Sequence, residues 1–400
     1  MAYDLFLHNW VEGATVRTGW STDVTYSTET LDEQRLALLT HRPARQIEVR
    51  WLAWDRHMAL RLLTMLQQAS DQEQRIPLYP DQAITTSSSS GTTINCPTDY
   101  RRFGVGSLVV IHQRGQDGMA TNIQFGTVSV VGAGSLTLES ALSGSYPTGS
   151  YVYPVMRCHK LLDARMTAHT DGVATVQAEF DEVLAEDALP ASTDEVADQV
   201  LNFGPNWAET VEIGMVRVGR QEVLGRSQEV DPQGTRPSMT FSFTLTEFSK
   251  EDFWDILSLF DGCRGRLLPL WLVNPMVLFS PVAVAANSVD VEVPTGGTLA
   301  DVEDYVRYVA LNDEIKTVTG ITLQAGPVWR IAFTEATALT LDDLDTVTLA
   351  HLVRFSEDEL EEEWFTDEVF QVRLSFQECP SGEATSFGTS AVFADCGVTE

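Results

Sequence analysis

Cys158, His159 and His169 form the one place where a thiol and imidazoles lie close together in the sequence. A cysteine nucleophile needs a histidine base within hydrogen-bonding distance of its sulfur. Neighbouring residues of a strand point to opposite faces of a sheet, so a strand at this segment separates Cys158 from His159. The pattern therefore favours a buried thiol beside an exposed imidazole over a nucleophile and its base.

Other chemical motifs are equally sparse. The chain has no GxSxG, HExxH, GxxxxGKS/T or DxDxDG sequence. Gly132-Ala133-Gly134 lacks the third glycine and the following helix of a dinucleotide-binding loop, and is typical of a turn between strands. The acidic run Glu361-Glu362-Glu363 before Trp364 is typical of a solvated edge. We therefore predict no catalytic, cofactor-binding or metal-binding residues, and a protein that is not an enzyme.

The five cysteines are Cys96, Cys158, Cys263, Cys379 and Cys396. Their odd number, wide spacing and lack of a CxxC pair argue against a zinc knuckle and a secreted disulfide framework. An iron–sulfur site from the last four would need distant loops to converge. The spacing gives that site no support and leaves the question open.

The composition predicts a globular chain with more than one core. Its 400 residues are 44% hydrophobic and 21% charged, and the formal net charge is −31. This length exceeds what one hydrophobic core usually supports, so we expect two units of roughly 190 residues. The charge argues against nucleic-acid binding by counterion release. It indicates either simple solubility or a surface past which DNA slides without adsorbing.

The sequence predicts neither a signal peptide nor membrane insertion. The first ten residues lack a basic region, an apolar stretch and a cleavage site. The longest apolar run, residues 267–279, contains two prolines and is too short to span a bilayer. We expect a protein that is soluble where it is made.

One order of elements occurs twice. In each copy an Arg-Pro pair precedes a β-rich segment, an amphipathic helix with a good N-cap residue, and a Pro-Leu-aromatic segment. The first copy has Arg42-Pro43, 47–51, 55–69 and Pro77; the second has Arg236-Pro237, 239–245, 249–260 and Pro269. The offsets are 236 − 42 = 194 and 269 − 77 = 192, and from Phe180 to Phe376 the offset is 196. The repeat predicts a tandem duplication.

The predicted fold class is α+β and mostly β. Each copy is a sheet-plus-helix domain carrying an inserted small β-barrel or sandwich. The predicted parts are a first unit at 1–183 with its insert at about 81–150, a linker at 184–206, a second unit at 207–380 with its insert at about 273–350, and a flexible C-terminal arm at 381–400.

Three segments resemble virion structural proteins of long-tailed, siphovirus-like bacteriophages. They are the opening with Trp20-Ser21-Thr22-Asp23-Val24, the segment 253–271 with its Gly-Arg and Pro-Leu-Trp, and the close that ends at Phe376-Gln377-Glu378-Cys379-Pro380. The resemblance is to distal tail, minor tail and baseplate hub proteins. It implies tail-tube-like domains whose sheets join neighbours around a channel, with a helix on the outer face.

The resemblance also implies a function, a location and partners. The chain is expected to form a non-enzymatic ring at the distal end of a phage tail, made in the bacterial cytoplasm and located in the virion. Expected neighbours are the tail tube protein, the tape measure protein, and baseplate hub or fibre proteins, with DNA only in transit. This chain departs from the simplest distal tail protein by having two units, so either a pseudo-six-fold trimer or a hexamer fits.

A sheet that assembles edge to edge must leave strand edges unpaired in the monomer. We predict that the repeated strands and the closing hairpins supply those edges. The candidate interface residues are Ile47, Val49, Trp51, Met239, Phe241, Phe243, Phe180 and Phe376.

Two other classes stay open on sequence alone. One is a receptor- or carbohydrate-binding adhesin of the virion built from β modules, which exposed aromatic platforms in loops would favour. The other is a hydrolase with an unrecognised site, which a cleft of converging carboxylates would favour. Neither class explains the repeated strand, helix and strand.

Overall fold

The computed structural model describes the backbone of most residues between 11 and 379. The described ranges are 11–20, 22–26, 34–38, 43–69, 73–114, 120–170, 172–183, 200–201, 210–217, 220–224, 227–231, 235–246, 250–266, 268–293, 299, 306–312, 314–344, 346–366 and 369–379. The predicted N-cap Ser249, most of the predicted linker and the predicted C-terminal arm lie outside these ranges. Residues 200–201 of that linker form a short strand.

Among its described residues, the first half contains twelve strands and one α-helix. They are β1 (Val11–Gly19), β2 (Thr22–Tyr26), β3 (Gln34–Leu38), β4 (Ala44–Ala53), α1 (Arg56–Ala69), β5 (Gln74–Pro77), β6 (Ala83–Ile84), β7 (Thr93–Ile94), β8 (Leu108–Arg114), β9 (Ala120–Gly132), β10 (Ser135–Leu138), β11 (Tyr151–Ala168) and β12 (Ala174–Glu182).

The second half has thirteen strands and one α-helix among its described residues. They are β13 (Val200–Leu201), β14 (Thr210–Arg217), β15 (Arg220–Leu224), β16 (Ser227–Asp231), β17 (Thr235–Thr246), α2 (Lys250–Gly262), β18 (Leu270–Ala285), β19 (Ser288–Glu292), β20 (Tyr308–Leu311), β21 (Glu314–Ala325), β22 (Val328–Phe333), β23 (Val347–Phe355), β24 (Glu359–Trp364) and β25 (Phe370–Glu378). The mostly β prediction is confirmed.

The first sheet has the order β5, β11, β12, β4, β1, and all its neighbours are antiparallel. Strand β4 alternates between buried and partly exposed residues, which is the pattern of a strand with one face on a core. Helix α1 follows β4 and buries Ala59, Leu62 and Leu66 in the cluster that contains Trp51 and Phe180. The apolar stripe predicted for this helix therefore faces the core.

The second sheet has the order β18, β23, β25, β17, β14, again with antiparallel neighbours. Helix α2 follows β17, as α1 follows β4. Its apolar residues Phe253, Ile256, Leu257 and Phe260, spaced as an amphipathic helix requires, are buried with Phe376 in a second core. The two sheets thus share one strand order and one helix position.

The hairpins that close the two sheets have the same hydrogen bonds. The amide of Thr170 donates to the carbonyl of Val173 at 3.2 Å, and Thr366 donates to Val369 at 3.2 Å. The hydroxyl oxygens of Thr170 and Thr366 accept the amides of Val173 and Val369, at 3.2 and 2.9 Å. The offset is 366 − 170 = 196, which is the offset that the sequence predicts from Phe180 and Phe376.

The strands between β5 and β11, and those between β18 and β23, have hydrophobic clusters of their own. The first cluster includes Ile94, Phe103 and Leu136. The second includes Val289, Ile331 and Phe333. Each sheet therefore carries an additional β segment with a separate core.

The N-cap of α1 gives a small, local prediction. The Asp55 carboxylate accepts the amide of Met58 at 2.8 Å, as expected for a residue that precedes the first turn. We expect Asp55→Ala to lower the stability of the first unit by about 1 kcal/mol, measured by urea denaturation. Asp55→Ser keeps a capping oxygen and is the control; an equal loss in both variants would show that the cap is not the cause.

Candidate functional site

Strand β1 joins the two sheets into one. It pairs with β4 on one side, where Val16 lies opposite Ile47. On its other side it pairs with β24, where Val16 lies opposite Glu362. Because β24 pairs in turn with β25, a continuous antiparallel sheet runs through both halves. This junction is the candidate functional site, since it shows how one unit of the chain attaches to another.

Ion pairs cross the junction on the sheet face opposite the helices, which we call the charged face. Arg17 of β1 contacts Glu361 of β24 at 3.2 Å and Glu179 of β12 at 3.0 Å. Arg50 of β4 contacts Glu363 at 3.0 Å. These side chains are partly exposed, so each pair contributes no more than about 1 kcal/mol. Opposite charges at set positions do, however, favour one register of the two strands.

A buried ion cluster lies on the other face of the junction. Arg102 donates to the Glu362 carboxylate and to Asp81 at 3.1 Å, and all three side chains are almost fully buried. The indole Nε1 of Trp364 donates to Glu362 at 2.9 Å. The acidic run 361–363 was predicted to be a solvated edge, and for Glu362 this is wrong. Strand alternation turns Glu362 inward while Glu361 and Glu363 face outward.

Burial and charge act in opposite directions on this cluster. Burial raises the pKa of Glu362, and the Arg102 charge with its hydrogen bond and that of Trp364 opposes the rise without cancelling it. Burial lowers the pKa of Arg102, but Glu362 and Asp81 raise it by more. The guanidinium therefore stays charged and is the counterion that allows two carboxylates to be buried.

The same place brings three parts of the chain together. Asp81 and Arg102 belong to the segment between β5 and β8, while Glu362 belongs to β24. Lys250, at the start of α2, donates to the carbonyl of Pro80 at 2.9 Å. Arg102 also lies 5.4 Å from the ring centroid of Phe253 in α2. These contacts fix the first additional β segment against the second unit.

The predicted interface residues lie in the core instead. Ile47, Val49, Trp51, Phe180, Phe241 and Phe376 are at most 1% exposed. Each has strand partners on both sides, so none of them offers a free edge. The edge prediction is wrong for these six residues. The side chains of Met239 and Phe243 lie outside the described part of the chain.

The physical reason for this error is that alternation reports a buried face and not a missing neighbour. An interior strand and an edge strand on the same core have the same period of two. Strand β1 was not predicted, although Ala14 and Val16 alternate with Thr15 and Arg17. No local signal relates Arg102 to Glu362, which lies 260 residues away.

The reactive residues singled out by sequence are placed apart or buried. Cys158 is in the first core and Cys263 in the second, and burial raises the pKa of both thiols, that of Cys263 to about 12. The Nε2 of His169 lies 2.9 Å from the hydroxyl of Thr175, at the closing hairpin. Cys379 is also buried, and Cys396 and the side chain of His159 are not described. Within the described ranges, no three His, Cys, Asp or Glu residues converge as metal ligands.

The Gly132-Ala133-Gly134 segment is a strand turn, as predicted. Strand β9 ends at Gly132 and β10 begins at Ser135, which lies opposite Gly132 in the ladder. Gly134 has a φ of +76°, a left-handed conformation that favours glycine.

A shallow polar depression of about 200 Å³ lies on the charged face beside β11. Its carboxylates are already engaged by neighbours. Glu48 accepts from Gln177, Glu179 is paired with Arg17, and Asp163 is paired with Arg165. The volume is below the roughly 300 to 1,000 Å³ of typical ligand pockets. Because its three carboxylates are already paired or hydrogen-bonded, the depression gives the hydrolase alternative no specific support.

The described helices include none that is both long and apolar enough to cross a membrane. A comparison with protein-family models and with curated proteins finds no match to this chain.

Proposed function

We propose that the chain is a tandem duplication of one sheet-plus-helix unit and that it forms a ring. The observation that carries this proposal is the junction of β1 with β24, which joins two sheets of the same strand order edge to edge. A chain that joins two similar units by pairing their edge strands can join further units by the same kind of pairing. The shared hairpin hydrogen bonds support the duplication.

The ring is proposed to surround a channel with the helices outside. Both helices pack on the same side of the continuous sheet as the two cores, which leaves the charged face for the channel. Described carboxylates on that face include Glu48, Asp163, Glu179, Asp181, Glu359, Glu361 and Glu363, and described arginines include Arg17, Arg50, Arg75, Arg157, Arg165 and Arg373. The net charge of −31 suits a channel through which DNA passes without adsorbing.

This architecture fits the resemblance to phage tail proteins. We propose a non-enzymatic component of the distal tail or baseplate, located in the virion, that continues the tail tube and joins it to tip proteins. Tail tube, tape measure, and hub or fibre proteins are its proposed neighbours. Each additional β segment is proposed to be a small barrel or sandwich on the outside of the ring. Six units require three chains, so we propose a trimer with pseudo-six-fold symmetry.

The adhesin alternative gains no specific support from the described surface. The exposed aromatic residues of the described surface, Trp54, Tyr100 and Phe365, belong to three different loops.

The test of the ring is imaging and mass measurement of the purified full-length protein. We expect electron micrographs to show rings with a central hole, and sedimentation equilibrium to give the mass of three chains of 44.2 kDa. A hexameric mass with a central hole would keep the ring and correct the copy number. Monomers at all concentrations, or a ring with basic side chains in its channel, would contradict the proposal.

A further inference from the structure

The continuous sheet ends at two strand segments that each have one neighbouring strand among the described residues. Its order is β11, β12, β4, β1, β24, β25, β17, β14. At one end, residues 160–168 of β11 pair with β12 and with no other described strand. At the other end, β14 pairs with β17 and with no other described strand.

These two ends are the counterparts of the strands that meet inside the chain. With the hairpin offset of 196, Arg165 of β11 is equivalent to Glu361 of β24, and Met166 is equivalent to Glu362. In the first sheet Val16 lies opposite Ile47, and in the second sheet Val211 lies opposite Phe241. Strands β1 and β14 therefore have the same position in their sheets. The pairing of β1 with β24 is therefore a template for β14 with β11.

The backbone of β11 is oriented for such a partner. The amide of His169 donates to the carbonyl of Val173 at 2.9 Å, which makes these two residues a hydrogen-bonded pair. In an antiparallel ladder such pairs alternate, so Ala164, Met166 and Ala168 point their amide and carbonyl groups away from β12. The internal junction shows the same alternation. There the backbone amide of Trp20 donates to the backbone carbonyl of Asp358 at 2.8 Å, so every second residue of β24 points its amide and carbonyl groups toward β1.

We propose that β14 of one copy of the chain pairs antiparallel with residues 163–168 of β11 in a second copy, and so repeats the internal junction between chains. This inference rests on the proposed ring and names its interface. The register of the internal junction places Val211 opposite Met166, Glu212 opposite Arg165, and Thr210 opposite Thr167. The partner is thus another copy of this protein.

The residue types at these positions suit the proposed register. Inside the chain Arg17 of β1 lies opposite Glu361 of β24 at 3.2 Å. Between chains the pair becomes Glu212 opposite Arg165, with the two charges exchanged but still complementary. Met166 is 41% exposed, and Val211 is an apolar residue for it to pack against. An exposed apolar strand edge is an aggregation site unless a partner covers it.

The interface is head to tail, because the edge that one copy offers differs from the edge that it accepts. Such an interface produces a closed ring or an open filament, depending on the rotation between copies. Three chains of eight strands would close a sheet of twenty-four strands, with four strands for each unit.

Cysteine cross-linking tests the register directly. Thr210 and Thr167 fall on a non-hydrogen-bonded pair, the closer of the two pair types, which suits a disulfide. We expect the full-length variant with both Thr210→Cys and Thr167→Cys to form covalent oligomers under mild oxidation. Mixing the two single variants should give dimers only. The native chain, whose described cysteines are buried, should give none.

The matched control moves one cysteine by a single residue. In a variant with Thr210→Cys and Met166→Cys the second side chain lies on the opposite face of β11. Cross-linking at least about tenfold weaker than in the first variant is expected. Equal cross-linking in the two variants would overturn the proposed register.

A charge exchange provides a second measurement. Arg165→Glu places two carboxylates opposite one another, and Glu212→Arg places two guanidinium groups there, so each is expected to weaken assembly on the order of tenfold or more. The double variant should restore assembly. Failure of that rescue, with both single variants folded, would overturn the proposed pair.

The outcomes separate this inference from the ring itself. Rings in micrographs without the cross-link would overturn the pairing of β14 with β11 and leave the ring in place. Cross-linked open filaments would support the pairing and contradict the ring. Monomers without any cross-link would contradict both.

Discussion

Replacing Arg102 with methionine is expected to destabilise the protein by about 3 to 5 kcal/mol, because two buried carboxylates lose their counterion. Arg102 is held between Glu362 and Asp81, and none of the three side chains is more than 2% exposed. Methionine keeps much of the packing volume beside Phe253 but no charge. Urea denaturation followed by tryptophan fluorescence measures the loss.

The control is an ion pair of similar geometry at the surface. Arg330 contacts Asp290 at 2.7 Å, and its side chain is 45% exposed. We expect Arg330→Ala to change stability by no more than about 1 kcal/mol. If Arg102→Met and Arg330→Ala cost the same, burial of the cluster has no energetic consequence.

The loss in Arg102→Met should depend on pH. Burial already raises the pKa of Glu362, and removal of the guanidinium raises it further. A carboxyl group with a higher pKa in the folded than in the unfolded protein stabilises the fold below its unfolded pKa and loses that contribution as pH rises. The deficit relative to the native protein should therefore shrink between pH 7 and about pH 4. A deficit that grows on acidification would contradict this account.

A second set of changes separates charge from shape. Adding Glu362→Gln and Asp81→Asn to Arg102→Met removes both uncompensated charges and keeps the side-chain sizes close to the original. Part of the lost stability should return, since a neutral buried cluster no longer needs a counterion. No recovery would indicate that packing around Arg102 matters more than its charge.

Local periodicity explains what the sequence predicts well. The apolar positions of α1 and α2, the alternation of β4, and the turn at Gly132-Ala133-Gly134 each depend on residues a few positions apart. Such patterns are the primary signal of secondary structure and of the buried face. The sequence also predicts that Phe180 and Phe376 are equivalent; Phe180 lies opposite Ile47, and Phe376 lies opposite Phe241.

Long-range pairing explains what the sequence did not predict. The junction brings Val16 beside Glu362, and Arg102 beside the same carboxylate, across most of the chain. The residues around each partner do not indicate which distant residue it contacts. The composition of the acidic run at 361–363 predicts a solvated segment. That composition contains no information on whether another strand, here β1, pairs beside it. Which strands have a free edge also depends on such distant neighbours. The sequence therefore predicts an interface at residues that lie on interior strands.

Proline at Val49 is expected to prevent folding of the first sheet rather than assembly of the ring. Val49 is fully buried, and it lies opposite Ala14 on one side and Ala178 on the other. The backbone amide of Val49 donates to one of these two neighbouring strands, and proline removes that hydrogen bond. The pyrrolidine group of proline also does not fit in the interior of a sheet. The loss is expected to be at least about 1 to 3 kcal/mol, the cost of a buried backbone group without its hydrogen bond, measured by circular dichroism and urea denaturation.

Proline at Met166 is the matched experiment on the proposed edge. The amide of Met166 points away from β12, so Met166→Pro removes no ladder hydrogen bond within the chain. Its expected result is the reverse of that for Val49→Pro: a folded protein by circular dichroism that sediments as a monomer. A folded, assembling Val49→Pro protein would show that β4 is not an interior strand. Normal assembly of Met166→Pro would show that the β11 edge lies outside the interface, because a second copy cannot complete a ladder whose donor is missing.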